Sequence, residues 1–526
     1  MAPPTTPCRV RSPVAPDMAI LEDIGKQGGA RRFRVKSPAT EEQLGELTVS
    51  SEAEVLAAVA RARAAQPDWQ ALGFGGRARV VLRALELLLE AQDRYIDVIV
   101  RETGRSRFET LMMEIFPACD SLCYYAKHAE KILADERPRL HLLRTKKLVV
   151  TYRPLGVIGI ITPWNGPFIL TLNPTVQALM AGNAVVLKPS EVTPFSGRLV
   201  ADLFEQAGLP SGVVNAVLGD GETGAFLVES DVDKICFTGS VATGRKIAEV
   251  CGRRLVPCTL ELGGKDPMIV CADADLERAA GGAVFGGFLN AGQFCCGTER
   301  VYVVDSVYDE FVRRVVEKSR ALRLGSEGEY DVGPMIWPRQ LEVVERHVRD
   351  ALDKGARVLV GGKRRPDLGE LFYEPTVMVD VTHDMQVMRD ETFGPVLAVA
   401  RVANEQEALR LANDSTYGLS STLWTRDGEK AVRLAKQIEA GSVCVNDSSI
   451  TYGVAEAPFG GRKSSGLGQA NGVVGLKGFC HAQPIILDRF GLKAEQVWYP
   501  YTAEKARMLQ KVMRLLWGTR LGRLLS

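Results

Sequence analysis

Short apolar runs alternating with amphipathic helical patterns fill this chain, and they do so in two separate stretches. In the first, residues 148–152, 157–162, 184–188, 213–218 and 234–238 read as strands. Helical periodicity covers 197–207 and resumes from Thr243. In the second, 267–270, 301–304, 357–360, 396–400 and 442–445 read as strands with helical patterns between them. Parallel strands need a crossover long enough to return the chain to its starting edge, and a helix supplies it, so this alternation predicts βαβ units on mostly parallel sheets. Two α/β lobes follow, divided near 258–264, where a strand ends in Glu261-Leu262-Gly263-Gly264-Lys265. Segments 52–65 and 76–101 precede them as helices, and no short-period repeat is present.

Composition narrows the function classes. The 526 residues carry a net charge of +1, which argues against wholesale nucleic-acid binding. No apolar run approaches the roughly 18 residues of a membrane span. Eleven cysteines are too sparse for a disulfide scaffold, and the start has no secretory signal, so a reducing, cytoplasmic setting is expected. The five histidines do not pair at metal-ligand spacing and no Cys-x-x-Cys occurs, so no metal site is expected. A catalytic cysteine in this chain is expected to work without a neighbouring histidine. Five prolines within the first 20 residues predict a disordered lead-in.

Several motifs carry chemistry, each ambiguous by itself. Cys295 and Cys296 follow Gly292-Gln293-Phe294; a thiol is mostly protonated at neutral pH unless backbone dipoles or neighbours activate it, and two cysteines can equally be small buried hydrophobes. Phe237-Thr238-Gly239-Ser240, with Gly244 after it, joins a strand to a helix, where free N–H groups and the helix dipole suit phosphate. Gly219-Asp220-Gly221-Glu222-Thr223-Gly224 matches the dinucleotide fingerprint, but it is not the first βα turn of its lobe and has an acid inside the loop. Thr162-Pro163-Trp164-Asn165 and Lys188-Pro189-Ser190-Glu191 close strands, where open α/β sheets bind ligands. An asparagine amide beside a thiol can stabilise an oxyanion, and Lys188 and Glu191 could grip ribose hydroxyls or be solvated charges. Glu391-Thr392-Phe393-Gly394-Pro395 leads into a strand, and the glycine-rich 458–466 reads most simply as a surface connector.

Taken in order and spacing, these motifs resemble the aldehyde dehydrogenase superfamily over residues 35–488. The resemblance implies two Rossmann-like doubly wound lobes, one cofactor-binding and one catalytic, with a small β-arm for oligomerisation. It implies Cys295 as nucleophile, Asn165 with the Cys295 N–H as oxyanion donors, and Glu261 as the base that activates water against a thioester. Lys188 and Glu191 match the adenosine-ribose contacts, joined by Ser190. Gly239, Ser240 and Gly244 match the pyrophosphate turn, Glu391 the nicotinamide ribose, and Phe393 a residue packed beside that ring. Thr162, Pro163, Trp164, Gly221, Phe237 and Leu262 complete the expected cofactor contacts. The implied cofactor is NAD, favoured because Glu191 should accept from a 2′-hydroxyl and repel a 2′-phosphate, with NADP left open. The presence of Glu261 favours hydrolysis to the free acid over transfer to coenzyme A.

The expected division is a lead-in at 1–20, a cofactor lobe at 21–260 with an arm segment near 137–153, a catalytic lobe at 261–460, a return to the cofactor lobe with an oligomerisation strand at 461–490, and an extension at 491–526. A homodimer or homotetramer is expected. From 501 to 526, six basic residues stand against one acid on an amphipathic helical pattern, which suits docking on protein or peripheral contact with an anionic membrane. The leading function is aldehyde oxidation to a carboxylic acid. The alternatives are a semialdehyde dehydrogenase for a short carboxylate-bearing substrate, which needs a cation in the tunnel, and a membrane-associated, non-catalytic binding protein that keeps the fold. Tunnel shape is expected to depend on Phe168, Leu172, Phe294 and Phe459.

Overall fold

The computed structural model describes residues 21–27, 30–495 and 497–525; the expected lead-in at 1–20 lies outside them. Strands Val157–Ile161, Ala184–Lys188 and Asp266–Val270 are buried at every position. Near-continuous apolar runs of this kind belong in parallel sheets covered on both faces.

The first lobe holds a six-stranded sheet in the order Gly466–Leu467, Cys258–Glu261, Lys234–Thr238, Val157–Ile161, Ala184–Lys188, Val214–Ala216. The last five are parallel, and Gly466–Leu467 runs antiparallel to Cys258–Glu261. The chain starts at Val157–Ile161, builds outward through two strands, then returns to build on the other side. The order therefore reverses between Val157–Ile161 and Lys234–Thr238, and open sheets bind ligands outside the strand ends at such a switch point.

The second lobe holds seven strands in the order Arg357–Val360, Thr376–Val379, Val396–Val402, Thr298–Val304, Asp266–Val270, Thr422–Trp424, Cys444–Val445. Only Arg357–Val360 is antiparallel to its neighbour. Lys146–Pro154 and Cys480–Asp488 pair antiparallel as a separate two-stranded arm. Strands Leu21–Gln27, Ala30–Lys36 and Gln43–Thr48 form a three-stranded antiparallel sheet.

The structure corrects several details. The helix expected over 76–101 is two, Gly73–Glu90 and Gln92–Thr103, because Ala91 leaves helical geometry (φ −114°, ψ 19°), a one-residue break that apolar periodicity does not encode. The strand expected over 442–445 shortens to Cys444–Val445. The segment 458–466 is not a surface connector: Ser465 is buried, its carbonyl accepts from Leu262 N–H (3.0 Å), and Gly466 pairs with Glu261. The fingerprint-like 219–224 follows the edge strand Val214–Ala216. Asp220 there caps helix Gly221–Glu229 and pairs with Arg31, so its loop is tied to the N-terminal sheet.

Candidate active site

Two cavities reach Cys295. The first, about 140 Å³, lies at the switch point and is lined by Pro163, Trp164, Asn165, Thr238, Gly239, Ser240, Glu261, Leu262, Glu391 and Phe393, with Trp337 and Gln340. The second, about 370 Å³, is an apolar tunnel through Met112, Met113, Phe116, Ile169, Leu170, Phe285, Phe294, Ile450 and Val454. Only Asn165 and Cys295 belong to both linings.

A strained loop presents Cys295. Asn290 (φ 52°), Ala291 (φ 54°) and Gly292 (φ 73°) are consecutive left-handed residues, a conformation that costs a side-chain-bearing residue about 1–3 kcal/mol. At Gly292 any Cβ would stand 2.0 Å from the Gly394 carbonyl oxygen, so only glycine lets this loop cross the 391–395 segment. The loop is held from several sides. Buried Gln293 donates to the Asn290 carbonyl (2.8 Å) and accepts from Ile336 N–H (2.8 Å). Buried Glu109 accepts the Asn290 N–H.

Asn165 sits just past strand Val157–Ile161. One of its amide N–H groups donates to the Gln293 carbonyl (3.2 Å), and its own carbonyl accepts from Asn290 Nδ2 (3.0 Å) and Arg105 Nη2 (2.9 Å). Arg105, 1% exposed, also pairs with the fully buried Glu114 at 3.0 Å, and Glu114 accepts the Ile169 N–H that opens the tunnel helix. Sequence reading missed Arg105, Glu109, Glu114, Asn290 and the anchoring role of Gln293. Buried charge without a recognisable motif leaves little trace in one sequence.

Cys295 is held below the ordinary thiol range by the Cys296 thiol and by backbone N–H groups, while Cys296 is pushed up in the same exchange. Glu261 ends strand Cys258–Glu261 and is buried. Neither carboxylate oxygen has a hydrogen-bond partner among the described residues; the Ala470 N–H beside it is committed to the Phe459 carbonyl. Burial, then the negative charge of Cys295, raises its pKa well above the carboxylate range.

Buried Lys265 pairs with Glu299, and Glu299 accepts both Thr392 and Phe393 N–H (2.9 Å each), which fixes the loop carrying Glu391 and Phe393. Phe393 packs edge-on against Trp164 (5.5 Å). Glu391 accepts Gly264 N–H (2.9 Å), and burial followed by the charge of Glu299 pushes it up to about 8.

The dinucleotide expected from the resemblance fits these residues. Ser240 caps helix Val241–Arg254 and takes only the Thr243 N–H, which leaves that 14-residue helix with N-terminal donors facing the strand ends. Gly244 lies within that helix and serves packing: a Cβ would meet Leu262 Cδ2 at 2.5 Å. Lys188 and Glu191 bind each other (3.0 Å), and Ser190 Oγ accepts Val192 N–H (3.2 Å). Lys188 ends strand Ala184–Lys188, Ser190 and Glu191 follow it, and Gly221 follows Val214–Ala216; all four lie farther along the sheet and line neither cavity at Cys295. Thr162 and Phe237 line a small void behind Glu261 instead.

The tunnel expectation holds for Phe294 alone. Phe168 and Leu172, one helical turn apart, face the lobe core, with Phe168 against Tyr95 (5.5 Å). Phe459 is buried edge-on against Tyr452 (5.1 Å). Ile169 and Leu170 provide the tunnel-facing side of that helix, joined by Met112, Phe116 and Val454, which sequence reading did not nominate.

A crevice at the switch point of a doubly wound sheet and an apolar tunnel meet at one cysteine, a layout that fits a nicotinamide-dependent dehydrogenase. The comparisons make this specific. The aldehyde dehydrogenase family model matches residues 25–485. The "4,4'-diapolycopene aldehyde oxidase" of Methylomonas sp is 39% identical over 92% of this chain and 91% of its own length. A Mycolicibacterium smegmatis protein named "putative succinate-semialdehyde dehydrogenase (NADP(+))" is 39% identical over 91% of this chain and 92% of its own. A Mycobacterium tuberculosis aldehyde dehydrogenase solved with NAD+ superposes with a TM-score of 0.83 at 36% identity, covering 88% and 96% of the two chains. This chain belongs to the aldehyde dehydrogenase family, whose members oxidise aldehydes with NAD(P).

Two tests follow. Arg105→Met strands the buried Glu114 carboxylate, and losing one partner of such a pair is expected to cost about 3–5 kcal/mol, read as a lower denaturant midpoint. Glu261→Gln should change the pH dependence of stability. A carboxyl whose folded pKa is raised keeps its proton in the folded state, so stability falls as pH rises from the ordinary carboxylate range through the raised value. The variant should melt higher than wild type at pH 8, with the advantage shrinking toward pH 5.

Proposed function

We propose that this enzyme oxidises an apolar, medium- to long-chain aldehyde to its carboxylate, with NAD as the preferred acceptor. The observation that carries this reading is the tunnel itself: it ends on Cys295, and among its described lining residues none is Lys, Arg or His. Asp447 is its one charged lining residue and would repel a carboxylate. An outer groove of about 810 Å³ shares Met112, Phe285 and Leu289 with the tunnel and extends the apolar path. Arg107 and Arg323 line that groove, but each is already paired with two acids. The semialdehyde reading, supported by the name of the Mycolicibacterium relative, lacks a cation inside the tunnel to hold its carboxylate.

In the proposed mechanism, the Cys295 thiolate attacks the aldehyde carbon. Asn165 Nδ2 and the Cys295 N–H receive the charge that develops on oxygen. Gly239, Ser240, Glu391 and Phe393, with Lys188 and Glu191 toward the adenosine end, would hold NAD(P)+, which would supply the hydride acceptor when bound; the carbon so oxidised on Cys295 is a thioester. Glu261 then takes a proton from water as the water attacks that thioester, releasing the acid and the thiolate. Thiolate and carboxylate discourage each other's charge in one dry site. Acylation removes the charge on sulfur and with it one cause of the raised Glu261 pKa, so the base becomes competent at the step that needs it.

The arm supports a homodimer or homotetramer. An isolated two-stranded sheet is marginal in water, and Ile485, Ile486 and Leu487 stand exposed on this one.

Cys295→Ala should abolish NADH formation. Glu261→Gln should keep a first-turnover NADH burst, while steady-state turnover falls by about 10²–10⁴-fold; loss of the burst would remove the division of labour. Across straight-chain aldehydes, kcat/KM should climb by about fourfold per methylene until the tunnel is filled. Succinic semialdehyde should fall far below decanal, and the reverse preference would overturn the apolar reading.

A further inference from the structure

Residues Ala503–Gly518 form a helix none of whose side chains is buried. Arg507, Lys511 and Arg514 recur at i, i+4 and i+7 on one face. Met508, Leu509, Val512, Met513, Leu515 and Leu516 occupy the opposite arc, and the first five are between 42% and 65% exposed. Lys505 falls within that apolar arc but is turned back, its ammonium donating to the Trp498 carbonyl (2.7 Å). Trp498, Tyr499 and Tyr501 precede the helix and Trp517 ends it, all about half exposed or more. A second short helix, Arg520–Leu525, continues the basic character. This is too much unpartnered apolar surface for a helix that serves only as a solvated tail.

From these observations we infer that the C-terminal helix docks the enzyme onto a membrane surface rich in anionic lipid. Two features choose this occupant over a second copy of the chain. The tail is strongly one-signed, six basic residues against Glu504 alone between 501 and 526, which complements anionic headgroups. Its aromatic residues also cluster at the two ends of the apolar arc, amphipathic rings that sit at a headgroup boundary. The helix lies flat in the interface: among the described residues no helix is long and apolar enough to cross a bilayer.

The test uses the full-length protein with phosphatidylcholine vesicles, with and without about 30% phosphatidylglycerol, followed by sedimentation. Binding is expected to the anionic vesicles only, and to weaken steeply between 50 and 500 mM salt, a comparison that needs no variant. Combining Arg507→Glu, Lys511→Glu and Arg514→Glu should lower binding by about a hundredfold or more. Turnover of propanal should stay unchanged, because none of the three residues lines either cavity at Cys295. Absence of binding to anionic vesicles at low salt would overturn the inference. Dissociation of the oligomer in the triple variant, without any vesicle binding by the wild type, would instead assign the helix to a second copy.

Discussion

The residues around Cys295 come from two sheets that share no strand, and the hydrogen bonds of Asn165 with Asn290 and Gln293 join them. Arg105 binds the backbone oxygen of Asn165, while its partner Glu114 holds the start of the tunnel helix. Burying such a pair gains little net stability, since desolvation offsets most of the Coulomb attraction. Its value here is geometric. A guanidinium offers five donors in a fixed plane, so what it binds cannot drift independently. On the cofactor side Lys265 and Glu299 do the same for the Glu391–Phe393 segment. Between these two anchors, the left-handed loop at 290–292 is over-determined enough to keep its strain.

In the proposed mechanism, electrostatics divides the catalytic labour in time. Burial without a hydrogen-bond donor makes Glu261 a poor acid to ionise, and an adjacent thiolate makes it poorer. That would be a defect in a base needed throughout the cycle. In a base needed only after sulfur has lost its charge, it keeps the nucleophile ionised first. The pairing of Glu261 with Gly466 across the sheet secures the end of its strand, so the reaction depends on a segment that enters the lobe long after the rest of its sheet is built.

Much of this was legible beforehand. The strands at 157–161, 184–188 and 234–238 announce themselves as apolar runs because both faces of a parallel sheet are covered, and the residues at their ends mark the crevice. Cys295, Asn165 and Glu261 were named from motif order and converge on one cavity. The tunnel was not legible. Whether position 168 or 169 faces it depends on how a helix is rotated against a neighbouring lobe, and no local pattern records that rotation. The fingerprint-like 219–224 is set aside in the sequence because it does not follow the first strand of its lobe, and the structure ties that loop to the N-terminal sheet through Asp220 and Arg31.

The two cavities touch only at Asn165 and Cys295. Under the proposed function, substitutions at Met112, Phe116, Phe285 or Val454 would act on the aldehyde while leaving the dinucleotide contacts untouched. A lineage with this arrangement can change its diet without renegotiating its coenzyme, since variation on one wall carries no penalty on the other.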